Sequence, residues 1–252
     1  NTASRGVALS YNGISHAVML ASPCDLEDFA IGFSLGERIV PDARDIYEIE
    51  VEEAAHGIAI EMRIASGPMM RLKETRRART GKTGCGLCGV ESLAWFEQEA
   101  LAPARPESTG MHLEPGALHR AMQAMAARQE LHHATGAVHA AGWADSDGEL
   151  LCVREDIGRH NALDKLVGAL VRSRVDVTAG FAVVTSRASF EMVQKAARAG
   201  FPLLAAISAP TALAVELADR AGLTLAGFVR GGRHVVYTHP QRLAPGEGGR
   251  QV

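Results

Sequence analysis

Leu150-Leu151-Cys152-Val153-Arg154-Glu155-Asp156-Ile157-Gly158-Arg159-His160-Asn161 decides how the second half of this 252-residue chain folds. A short apolar run reads as a strand, a polar burst follows, and a helical pattern then starts near 162. The same order recurs. Strands Leu150–Val153, Phe181–Thr185, Leu203–Ile207 and Leu223–Val229 alternate with helices near 162–173, 189–199 and 211–221. Gly200 and Gly222 sit where helix C-caps are expected. Such alternation predicts an α/β layer with parallel strands, and ligands of open α/β sheets bind outside the carboxyl ends of the strands.

Those ends are unusually polar here. After Arg154-Glu155-Asp156-Ile157-Gly158-Arg159-His160-Asn161 come Thr185-Ser186-Arg187, Ser208-Ala209-Pro210-Thr211 and Arg230-Gly231-Gly232-Arg233. Arginine's planar fork and the helix starts beside these loops suit a phosphate-bearing ligand. The alternative is that Asp156, Arg159 and Asn161 are helix caps and salt bridges.

Upstream, Val7–Ser10 and Ile14–Leu20 flank Asn12-Gly13, a hairpin signature. Ser22-Pro23-Cys24-Asp25 reads as a helix start, with Ser22 as N-cap, and a helix runs to about Arg38 with Leu26, Phe29, Ala30 and Phe33 on one face. Glu48–Val51 and Ile58–Ile64 read as strands about His56-Gly57, and Val90–Leu101 as a short helix. Residues 102–115, with three prolines and a glycine, read as a linker. One helix is expected over Ala117–His132, then strands Ala137–Ala144 and Glu149–Arg154. The division is thus 1–101 as an N-terminal α+β portion, 102–115 as linker, 116–243 as the α/β portion, and 244–252 as a flexible tail.

Between the two portions lies Thr83-Gly84-Cys85-Gly86-Leu87-Cys88-Gly89, preceded by Arg71, Lys73, Arg76, Arg77, Arg79 and Lys82 against the single Glu74. Neighbouring positive charge favours the thiolate, the reactive form of cysteine. The pair therefore reads as ionisable sulfur on a mobile basic arm, or as a zinc half-site or plain thiol pair. Cys24 and Cys152, in apolar settings, read as core residues.

Composition excludes several classes. A net charge of −3 disfavours a general nucleic-acid binder, no apolar run approaches a membrane span, and Asn1-Thr2-Ala3-Ser4-Arg5 is no signal peptide, so a reducing cytoplasm is expected. Gly81-Lys82-Thr83 lacks the first glycine of a P-loop, with Arg76 in its place. A zinc deaminase needs His-x-Glu before Pro-Cys-x-x-Cys; His139-Ala140-Ala141 lacks the glutamate and follows the cysteines.

Gly84–Gly89, Thr135-Gly136-Ala137-Val138-His139, the run Glu155–Lys165, Ser189–Ala196, Ala209-Pro210-Thr211 and Gly227-Phe228-Val229-Arg230 together resemble the FdhD family, sulfur carriers for formate dehydrogenase. The resemblance runs from about Asn12 to Thr238; Ser186-Arg187, where many relatives have Ser-Gly-Arg, and Gly136-Ala137, where a second glycine is common, depart from it. It implies a cytidine-deaminase-like three-layer α/β fold without deaminase chemistry, and a homodimer. It implies sulfur taken from a cysteine desulfurase and passed to a molybdenum or tungsten bis(molybdopterin guanine dinucleotide) cofactor bound as substrate, with no tightly bound metal of the protein's own. By resemblance Cys85 carries the persulfide with Cys88 beside it, and Phe228, Val229, Arg230, Gly231, Gly232 and Arg233 bind the cofactor. Ser186, Arg187, Asp156, Arg159, His160 and Thr211 join them as candidates from the strand ends. The competing reading is a non-catalytic cofactor chaperone whose cysteine pair is structural or binds zinc.

Overall fold

Asn12 and Gly13 take φ of 47° and 76°, the pair of positive angles that a tight hairpin turn demands. In the computed structural model, which describes residues 4–79, 111–243 and 249–251, this turn joins β1 (Arg5–Tyr11) to β2 (Ile14–Ala21). With β3 (Ile46–Ala54) and β4 (Gly57–Ile64) they make a four-stranded sheet of order β2-β1-β4-β3. Alternate residues Val7, Leu9, Tyr11, Ile58, Ile60 and Met62 point to one face. Helix α1 (Leu26–Gly36) covers that face with Leu26, Phe29, Ala30 and Phe33, as its pattern predicts.

The start of α1 differs from expectation. Ser22 does not cap it; the helix begins at Leu26 after Asp25, which sits at φ 52° with no side-chain cap bond. Ser22 is engaged elsewhere: its amide donates to Asp156 Oδ2 at 2.8 Å and its hydroxyl accepts from the Ile157 amide at 3.1 Å. Buried long-range bonds outcompete an exposed local cap because they satisfy groups that water cannot reach.

The other face of α1 packs on α5 (Arg159–Arg172) of the second unit. Two glycines permit the approach. A Cβ on Gly32 would land in the Asp164 carbonyl, and one on Gly168 in the Asp28 carbonyl. Around this contact sit ion pairs centred on buried groups: Arg154 and Arg172 both donate to the buried Asp28 at 2.8 Å, and the buried Lys195 bridges the buried Asp164 and the exposed Glu37 at 2.9 Å.

The second sheet has order β11-β10-β9-β8-β7-β5-β6. Its strands are β5 (His139–Asp145), β6 (Leu150–Asp156), β7 (Gly180–Val184), β8 (Leu203–Ala206), β9 (Thr224–Arg230), β10 (Arg233–Thr238) and β11 (Gly249–Gln251). Phe181, Val183, Leu203 and Ala205 face α3 (Pro115–Ala127); Ala182, Val184, Leu204 and Ala206 face α5, α6 (Phe190–Ala199) and α7 (Ala212–Arg220). Helices on both faces explain why the central strands read as unbroken apolar runs. The result is the expected three-layer α/β fold beside a smaller α+β portion. Gly200 caps α6 at φ 84°, and Gly222 follows α7 at φ 67°.

Several expectations change. The single helix over 117–132 is two, α3 and α4 (Glu130–Thr135), because the Glu155 carboxylate accepts from the Leu131 and His132 amides at 2.7 and 2.9 Å and starts a new helix there. The end of the expected linker belongs to the core: Leu113 is buried and its amide donates to the Arg242 carbonyl at 2.8 Å. Gly249–Gln251, expected as a frayed tail, pairs in parallel with His234–Val236. Cys24 is exposed and Cys152 only half-buried, so neither is the core residue expected. The basic stretch from Arg71 to Arg79 lies in a helix, α2 (Ser66–Arg79). Lys82, Cys85, Cys88 and the helix expected over 90–101 lie outside the described residues.

Candidate functional site

Strand β5 runs antiparallel to both β6 and β7, and β8 and β9 run parallel to β7. The carboxyl ends of β6, β7, β8 and β9 therefore share one edge of the sheet, joined there by the start of β5 at His139. This topology brings the polar loops together as the alternation predicts.

At the end of β9, Phe228 has φ 54°, a strained conformation for a bulky side chain. The cause is a β-bulge. Arg233 pairs with Arg230 and Val235 with Gly227, so Phe228 and Val229 together oppose His234 alone. The bulge turns Val229 into the core on the same face as Ala226. Phe228 remains half-buried, with the Arg230 guanidinium 5.8 Å from its ring centroid. Gly231 and Gly232, at φ 57° and 72°, then close a two-residue hairpin that leaves Arg230 and Arg233 exposed beside each other. Behind the bulge, His234 is buried and its Nδ1 lies 3.1 Å from His119 Nε2.

At the end of β6, Asp156 is fully buried and saturated. Oδ2 accepts from the Ser22 amide and meets Lys165 Nζ at 2.7 Å; Oδ1 accepts from the Gly158 amide at 2.8 Å and Asn161 Nδ2 at 2.9 Å. Lys165 is also fully buried and donates to the Ser22 and Glu155 carbonyls. Asp156 thus shapes the loop and offers no free lone pair to a ligand. Val229 likewise is core, and Thr211 caps α7 by accepting from the Ala214 amide at 3.2 Å. Ser186 is buried and donates to the Arg187 carbonyl at 3.0 Å, while Arg187 is exposed.

Arg159 and His160 open α5. Arg159 Nε is buried with no hydrogen-bond partner among the described residues. His160 Nε2 lies 3.5 Å from Ser189 Oγ and 3.9 Å from Glu191 Oε2. Burial, then the Arg159 charge, pushes His160 down to about 4, so its contact with Glu191 is not an ion pair at neutral pH. Burial, then Arg159 and His132, also lowers His139, whose ring bonds the Thr185 backbone. His139, Ser189 and Glu191 are not among the candidates read off the sequence, although His139 closes one stretch that carries the resemblance and Ser189 opens another. The Sγ of the largely exposed Cys24 is 3.7 Å from Lys165 Nζ; the partial burial of that sulfur pushes the thiol up, with Lys165 opposing.

The model of the FdhD/NarQ family matches residues 3–244. The chain belongs to that family. It is 58% identical over 237 residues to the sulfur carrier protein FdhD of Cupriavidus necator, covering 94% of this chain and 81% of that protein. It is 54% identical over 238 residues to the protein of the same name from Bordetella parapertussis, covering 94% and 85%. In three dimensions it is similar to a crystal structure from Desulfotalea psychrophila, provisionally described as a formate dehydrogenase accessory protein. The TM-score is 0.74 at 24% identity, over 96% of this chain and 89% of that one. No helix among the described residues is long and apolar enough to cross a membrane.

Proposed function

We propose that this protein is a sulfur carrier that matures formate dehydrogenase, working as a homodimer in the cytoplasm. The observation that carries the reading is kinship over 94% of the chain with proteins named sulfur carriers, in a sequence that has Cys85-Gly86-Leu87-Cys88 after a basic helix. The Cys85 thiolate attacks the outer sulfur of a cysteine desulfurase persulfide. That S–S bond breaks, the desulfurase leaves as thiolate, and Cys85 holds the persulfide. Delivery breaks the new S–S bond with its electron pair returning to Cys85. The sulfur passes to the reduced metal of the bis(molybdopterin guanine dinucleotide) substrate, which supplies two electrons and gains a sulfido ligand. Cys88, three residues on, is a neighbouring thiol. Phe228, Arg230, Gly231, Gly232, Arg233, Ser186, Arg187, Arg159 and His160 hold the nucleotide arms, while Asp156, Val229 and Thr211 support the loops that carry them.

Incubated with a desulfurase and cysteine, the protein should gain one sulfur at Cys85, with Cys88 carrying it less or only transiently, located by peptide mass spectrometry. Cys85→Ala should carry no sulfur and fail to mature formate dehydrogenase. A Cys85→Ala protein that still supports maturation would make the protein a chaperone with a structural cysteine pair.

A further inference from the structure

We propose that His119 and His234 are positioning residues: the hydrogen bond between their rings locks the register of β9 against β10, and so decides which face of the sheet presents Arg230 and Arg233. That these arginines then meet a nucleotide rests on the function proposed above; the lock itself rests on the strand pairing.

The β9–β10 hairpin holds two registers. Arg230 pairs with Arg233 and Leu225 with Thr238, as in a regular hairpin closed by Gly231-Gly232. Between them Gly227 pairs with Val235 and Ala226 with Val236, displaced by one residue. A bulge at each end of the displaced segment makes up the difference, and the one on β9 holds Phe228 at φ 54°. A regular register throughout would pair Phe228 with Val235 and Ala226 with Tyr237, and would need neither the bulges nor the strained angle. Something must hold the costlier register.

Parallel pairing with β8 fixes the start of β9, setting Ala226 beside Ala205 on the face toward α3. In the displaced register His234 and Val236 share that face, and Val229 joins them beyond the bulge. A one-residue slip would turn β10 over, taking His234 and Val236 out of the layer and putting Val235 and Tyr237 into it. The two valines would exchange there at little cost, because apolar burial has no direction. The polar contact cannot exchange. His234 is buried, its Nδ1 lies 3.1 Å from Nε2 of the half-buried His119 on α3, and only the displaced register faces it toward that helix. The bond is directional and satisfies a nitrogen that water does not reach. In this register alternation sets Arg230 and Arg233 on the face away from α3, and the slip would carry both to the other face.

The test uses the full chain. In isotope-labelled wild type, scalar coupling should pass between His119 Nε2 and His234 Nδ1, as it does through a hydrogen bond. His119→Leu fills the space without a bond. It should speed amide exchange in β10 and the Arg230–Arg233 turn by about twofold to tenfold, the worth of one hydrogen bond, and leave α5 and the four-stranded sheet protected. It should weaken guanosine diphosphate by a similar factor in calorimetry. His119→Gln, whose amide can still donate to His234, should restore both. Phe228→Gly added to His119→Leu should recover the protection, because glycine accepts the positive φ without strain. Absent coupling in wild type, unchanged exchange in His119→Leu, or His119→Gln as impaired as His119→Leu would overturn the lock; the coupling decides alone if His119→Leu does not fold. Lost protection with wild-type nucleotide affinity would overturn the positioning role. Wild type that does not bind guanosine diphosphate would overturn the nucleotide reading instead, and coupling and exchange would still judge the lock.

Discussion

Asp156 shows how one residue can hold a loop at the sheet edge through its own hydrogen bonds. It carries a buried negative charge that four donors satisfy, one of them the equally buried Lys165. Removing one member of such a pair strands the other in a dry interior, which costs roughly 3–5 kcal/mol. Asp156→Ala should therefore lower unfolding stability by about that amount in urea titration. Replacing both members, as Asp156→Leu with Lys165→Met, should recover much of the loss, because no bare charge remains. A single variant that unfolds within about 1 kcal/mol of wild type would mean that Lys165 finds another counter-charge or that water reaches the loop. The strained Phe228 is the other residue of this kind. Its positive φ belongs to the bulge, and the bulge is what separates the core-facing Val229 from the exposed Arg230.

Helix α1 is the element on which the two units meet. One face serves the four-stranded sheet through Phe29 and Phe33, and the opposite face brings Gly32 and the Asp28 backbone against α5, where the Asp28 carboxylate also meets Arg172. Close backbone approach leaves no room for a methyl group, and the obstructing atoms are carbonyls, which cannot swing aside as a side chain can. Gly168→Ala should push the helices apart and cost at least roughly 1–3 kcal/mol. A thermal scan would show a lowered midpoint, whereas an unchanged midpoint would mean that α1 and α5 do not cross in this contact. The same shift would disturb the ion pairs of Arg154 and Arg172 with Asp28 and of Lys195 with Glu37, which span the two units beside the glycines.

At the scale of the whole molecule, the proposed sulfur chemistry and the proposed nucleotide binding fall in different parts of the chain. The cysteines belong to the stretch after α2, and the arginine-bearing hairpin joins β9 to β10 in the seven-stranded sheet. The two activities should therefore separate by mutation. Losing a charge-assisted phosphate contact costs roughly 1.5–3 kcal/mol, or about tenfold to a hundredfold in affinity. Arg230→Ala and Arg233→Ala should weaken guanosine diphosphate by that factor in calorimetry and leave persulfidation of Cys85 nearly intact. Cys85→Ala should bind the nucleotide normally and carry no sulfur. Wild-type nucleotide affinity in both arginine variants would make those residues surface charges.

Much of this architecture is legible in the sequence because it depends on local periodicity. Apolar runs buried on both faces, Gly200 and Gly222 at helix ends, and Asn12-Gly13 in a hairpin are short-range patterns that the chain carries by itself. The gathering of Arg159, Arg187 and Arg230 at one edge follows too, since parallel strands end together. Other features depend on partners remote in sequence, which no local pattern contains. Ser22 looks like a cap until Asp156 and Ile157, more than a hundred residues away, claim it. Residues 117–132 look like one helix until Glu155 supplies an acid to start another at Glu130. Asp156 looks like a ligand-binding acid until burial and four donors consume it. Only the tertiary structure decides these cases, because the energy of a buried polar group is set by which distant group reaches it when water cannot.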